Sequence, residues 1–99
     1  MKESRLGEHL RSVRRAAGVG LRALASSVEV DRAHLSRIES GKVIPSDDLL
    51  LRLAEALGED LDELRFLAGR LPYDVEEIIR AHPREATIVL RNAFHTEGI

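Results

Sequence analysis

Arg32, Ala33, Ser36, Arg37 and Ser40 stand at spacings of one, three and four residues, the pattern that brings side chains to one side of an α-helix. Two guanidinium groups on such a face suit one chemistry in particular. Each is a planar fork of donors that matches the O6 and N7 acceptors of guanine. A helix fits the major groove of duplex DNA, and the exposed residues near its N-terminus reach base edges. The other chemically capable residues do not converge. His9, His34, His82 and His95 are scattered, and no HExxH, nucleophile elbow or phosphate loop occurs. His9 beside Glu8 has no third ligand at metal spacing. Asp47-Asp48 and Glu76-Glu77 fall in expected first helical turns, where the helix dipole favours acids. The sequence argues against an enzyme and implies neither cofactor nor metal.

A reading helix needs a frame, and the chain supplies short helices with punctuation between them. Leu6, Leu10, Val13 and Ala17 recur at helical spacing, with Ser4 as N-cap and Gly18 as the stop. Leu21, Leu24, Ala25 and Val28 make a second apolar stripe. Asp31 caps the third helix, which turns Leu35 and Ile38 inward and ends at Gly41. Only Glu29-Val30-Asp31 joins the second helix to the third, a link so short that the two must meet at a steep angle. The small side chain of Ala25 permits the close approach, and Val28, Val30, Leu35 and Ile38 pack the angle. Ser46 then caps a fourth helix carrying Leu49, Leu50, Leu53, Ala54 and Leu57, closed by Gly58. Asp60 caps a fifth carrying Leu61, Leu64 and Leu67, closed by Gly69. Pro72 is placed at the first position of a sixth, leading into Val75, Ile78 and Ile79. His82-Pro83 interrupts, and a last helix runs from about Pro83 to His95. No strand alternation, low-complexity stretch or solenoid repeat is present.

Composition sets the bounds. Ninety-nine residues, 43 % hydrophobic and 32 % charged, make one domain or slightly more, and a chain this short buries only about 60–70 % of its unfolded surface. With aromatic residues limited to Phe66, Tyr73 and Phe94, the core is aliphatic and suits helices. There is no cysteine, which excludes disulfides and fits a cytoplasmic setting. No apolar run approaches the roughly 18 residues of a membrane span. The net charge of −2 hides an asymmetry. Residues 1–44 carry nine Lys or Arg against five acids, whereas residues 45–99 carry six Arg against twelve acids. A basic front half suits a polyanion held on one face.

The run from Leu24 to Gly58 carries a resemblance. Leu24-Ala25, Ser36-Arg37-Ile38-Glu39-Ser40-Gly41-Lys42 and Pro45-Ser46 resemble the DNA-binding domain of the Cro/cI, or xenobiotic-response-element, family of transcriptional regulators. The likeness reaches back through Leu10 to Arg14 and forward to about Leu67. It implies an all-α, lambda-repressor-like five-helix domain over residues 1–69, with a helix-turn-helix and a C-terminal extension of about two helices over 70–99. It implies double-stranded DNA as partner, with Arg32, Ala33, Arg37, Asp31 and Ser36 toward the bases. Ala33 would meet a thymine methyl, and Asp31 would either cap its helix or accept from cytosine. Lys42, His34 and Ser40 would meet the phosphate backbone, with Arg22 standing in for the glutamine that the family usually has where this chain has Leu21. Arg14 and Glu39 match a structural pair, from which Arg14 would also reach a phosphate. Glu29 occupies the turn position usually held by glycine, where a positive φ costs about 1 kcal/mol.

The tail lies beyond that likeness. Ala86, Val89, Leu90, Ala93 and Phe94 form a stripe that could complete the monomer core, pair with a second copy, or receive a partner protein such as a toxin. Small helix-turn-helix domains act as dimers on half-sites about one DNA turn apart, so the reading favours a homodimer built by this stripe on a palindromic operator, acting as a repressor. The alternative is an antitoxin or protein-interaction module with the same fold.

Overall fold

A computed structural model describes residues 5–94. The expected cap at Ser4 and the end of the last helix at His95 lie outside them. The order is α1 (Arg5–Ala16), α2 (Leu21–Ser27), α3 (Arg32–Glu39), α4 (Asp47–Leu57), α5 (Leu61–Leu67), α6 (Tyr73–Ala81) and α7 (Pro83–Phe94). No strand occurs among the described residues.

The boundaries follow from local chemistry. Asp31, Ser46 and Asp60 each accept the backbone N–H three residues ahead, at 2.7, 3.2 and 2.9 Å, which satisfies a donor the first helical turn leaves over. Pro72 caps α6 from outside rather than starting it. It is one residue off the expected position because its fixed φ suits either place. Ala17, expected on the inner stripe of α1, lies past the helix end and is exposed.

The core is one aliphatic cluster of Leu6, Leu10, Leu24, Ala25, Val28, Leu35, Ile38, Leu49, Leu50, Leu53, Ala54 and Leu64. Every member belongs to α1–α5 or to the turn after α2. No residue of α6 or α7 is buried; these helices pack chiefly on each other. The tail stripe therefore does not complete the monomer core. The molecule is extended accordingly, with a radius of gyration of 15.7 Å against about 13 Å for a compact chain of this size.

Candidate nucleic-acid interface

The α2–α3 turn is built from the backbone outward. Val30 N–H donates to the Ala25 carbonyl at 3.0 Å and Glu29 N–H to the Ser26 carbonyl at 3.2 Å, the pair of bonds that closes a helix with a left-handed residue. That residue is Glu29, at φ 63°, and no other described non-glycine residue has a positive φ. Gly41 ends α3 by the same two bonds at φ 82° without a side-chain penalty. The strained turn is braced from α4, where the Arg52 Nε donates to the Val28 carbonyl at 3.0 Å and the same guanidinium pairs with Asp48.

The turn delivers α3 with Leu35 and Ile38 buried and Arg32, Ala33, Ser36, Arg37 and Ser40 exposed together on the other side. Asp31 is a cap, its Oδ1 held by the His34 amide. His34 is half-buried. The Ser40 hydroxyl donates back to the Arg37 carbonyl at 3.1 Å. Lys42 is exposed just past the helix end, and Arg22 is exposed on α2. None of the ion pairs among the described residues involves Arg22, Arg32, Arg37 or Lys42. Arg52, Arg65, Arg70 and Arg80, further along, are engaged by acids, whereas Arg84 and Arg91 on α7 take part in none of these pairs.

Arg14 is placed differently from the sequence expectation. It is 8 % exposed. Its Nε and Nη2 donate to the two carboxylate oxygens of Glu39 at 2.7 and 2.9 Å, and its Nη1 donates to the Val19 carbonyl at 3.0 Å. The hydrogen bonds to Glu39 push its already high pKa further up. The structural pair is present, but burial of the guanidinium argues against the phosphate contact also expected of Arg14. What it does is tie the end of α3 to the approach to α2, so that both arms of the motif are referred to α1. Arg11 adds a longer contact to Glu39 at 3.4 Å. The Arg52 brace, the Val19 bond and the Arg11 contact were not foreseen. They join residues distant in sequence or use backbone acceptors, and neither leaves a sequence pattern.

Residues 5–67 match the model of a helix-turn-helix domain, well over half of the chain. The chain belongs to the helix-turn-helix family. Its curated relatives include the transcriptional regulator ClgR of Mycobacterium tuberculosis, 35 % identical over 78 residues, which are 79 % of this chain and 70 % of that protein. Among solved structures, the restriction-modification controller protein C.AhdI of Aeromonas hydrophila is 32 % identical with a TM-score of 0.59, over 63 % of this chain and 94 % of that one. The clp gene regulator ClgR of Corynebacterium glutamicum is 29 % identical with a TM-score of 0.61, over 93 % of each chain. This helix-turn-helix protein is thus a transcriptional regulator with a DNA-binding fold. Among its described residues no group of side chains could hold a metal ion, and no helix is long and apolar enough to cross a membrane.

Proposed function

We propose that the protein binds a palindromic duplex operator as a homodimer in the cytoplasm and represses transcription there. The observation that carries this reading is the set of cations on the helix-turn-helix face, Arg22, Arg32, Arg37 and Lys42, which no acid of the described chain neutralises. In this reading residues 1–69 are the DNA-binding domain. Arg32 and Arg37 read guanines, Ala33 and Ser36 fill the base-facing surface between them, and Asp31 serves first as a cap. Arg22, Lys42, His34 and Ser40 hold the backbone. Phosphate contacts of this kind fix register and make affinity salt-dependent, whereas the base contacts carry the sequence information.

One such domain neutralises few phosphates and binds weakly by itself. Residues 70–99 supply the second half. Val89 and Phe94 are 62 % and 72 % exposed, and together with Ala86, Leu90 and Ala93 they form a surface that pairing with the same surface of a second copy would cover. A dimer lying across a promoter blocks polymerase, which is the basis for repression. The same uncovered surface supports a second reading, in which a partner protein such as a toxin occupies it. Selection from a random DNA pool tests the proposal. An enriched inverted repeat with half-sites about one helical turn apart is expected, and a pool with no enriched motif would defeat it.

A further inference from the structure

We propose that Gly7, on a helix that carries no base-reading residue, fixes the position of the reading helix and so determines how α3 discriminates between base pairs. The inference rests on the DNA-binding reading above. At Gly7 the backbone of α1 passes directly over the C-terminal end of α3. A methyl group there would stand 2.4 Å from the carbonyl oxygen of Glu39, 2.5 Å from that of Ile38 and 2.7 Å from the Glu39 carbonyl carbon. All three are backbone atoms, so no side chain can swing aside. Relief requires the end of α3 to move out by about 1 Å, to the 3.4 Å at which ordinary contact begins.

Local preference does not explain a glycine at this place. It sits inside a helix, where glycine is less favourable than alanine. Its backbone is not left-handed, unlike that of Gly18, Gly41, Gly58 and Gly69. What the position needs is the absence of a side chain. The same end of α3 is where Arg14 and Arg11 hold Glu39, whereas the other end follows directly from the α2–α3 turn, which Arg52 braces at the Val28 carbonyl. A displacement at Gly7 therefore swings α3 about its N-terminal end. Arg37 and Lys42 move most, Arg32 and Ala33 least. Base-reading groups tolerate about 0.5 Å of misplacement before function suffers.

The test uses Gly7→Ala beside Gly20→Ala, where the added methyl group has nothing within 4 Å. Both are made in a Glu29→Gly host, which relieves the strained turn and gives the protein reserve stability. Affinity is measured on the selected duplex, on its single-base-pair variants and on random duplex, with folding followed by circular dichroism. Gly20→Ala should match the host. Gly7→Ala should stay folded and lose about tenfold more affinity on the selected duplex than on random DNA. Its discrimination should vanish at the base pair that Arg37→Ala also relaxes and persist at the one that Arg32→Ala relaxes. Adding Arg37→Ala to Gly7→Ala should then change little, since both act on one contact. A folded Gly7→Ala with the host's base profile, or a loss spread evenly over all positions, would overturn the proposal. So would a protein that unfolds even in the stabilised host, because the contact would then serve the fold alone. A host that binds no DNA refutes the underlying reading before any change at Gly7 is compared.

Discussion

The helix-turn-helix face and the C-terminal hairpin are both uncovered, and they are uncovered in opposite ways. The first leaves charge exposed, in Arg22, Arg32, Arg37 and Lys42. The second leaves carbon exposed, in Val75, Ile78, Val89, Leu90 and Phe94; the first four of these border a groove of about 360 Å³ with Ile79, Ala86, His82 and Glu85. Cations in water keep their hydration, so the first face can wait for a polyanion at little cost. Exposed apolar surface forgoes about 25 cal/mol per Å², and helices of 9 and 12 residues are too short to persist without packing. The hairpin's two helices pack chiefly on each other, and the apolar surface left over is what the proposed dimer would cover, whereas the charged face needs no cover. One surface points to a ligand and the other to association.

That contrast can be broken most forcefully with leucine. Leu50→Ala in the core should lower stability by about 3 kcal/mol at every protein concentration. Leu90→Asp on the hairpin should leave the α1–α5 core folded and raise the dimer dissociation constant by about a hundredfold, a charge now having to be buried in the interface. Sedimentation equilibrium beside urea titration separates the two. A Leu90→Asp protein that still sediments like the wild type would remove the hairpin from the interface.

On the charged face, Arg37→Ala should weaken operator binding by about 2 kcal/mol and relax preference at one base pair per half-site. Lys42→Ala should weaken all duplexes alike and lower the salt slope by about one per half-site. Equal losses for both variants on operator and random DNA would erase the distinction between reader and anchor. A smaller effect is expected in the turn, where Glu29→Gly removes a side chain from a left-handed residue and should raise stability by about 1 kcal/mol without altering the base profile. Denaturant titration reads the first part and the operator variants the second.

The smallest effect concerns Asp47, where α4 meets Arg65 and Arg70. Hydrogen bonds from Arg65, at 2.9 and 2.7 Å, hold its carboxyl below the ordinary aspartate range. A carboxyl lowered by folding adds stability above its unfolded pKa of about 3.9 and loses that stability as the pH falls through the folded value. Asp47→Asn should therefore be less stable than the wild type at neutral pH, and the two should converge below about pH 4. The group is exposed, so the difference is small. Thermal melts from pH 7 to pH 2 would show whether the curves converge.

The legible parts of the molecule were those written locally. Asp31, Ser46 and Asp60 cap with their own side chains three residues ahead, and Gly18, Gly41, Gly58 and Gly69 end their helices at positive φ, so spacing and residue type sufficed. The outward set of α3 followed from helical period. Glu29 in a glycine position followed only from the family resemblance, and the pairing of Arg14 with Glu39 also came from there, since 25 residues separate them. Gly7 escaped because a glycine required by a neighbouring backbone looks, in sequence, like any other. The fate of Arg14 escaped for a similar reason: whether a basic side chain faces solvent or a buried carboxylate depends on the packing of α1 against α3.

The central claim is that α3 reads duplex DNA through Arg32 and Arg37 in a two-fold assembly. The most direct test is selection from one random DNA pool, run side by side with the full chain and with its Arg32→Ala, Arg37→Ala double variant. The account predicts an enriched inverted repeat from the first and no enriched sequence from the second. The same motif from both, or none from either, would contradict it.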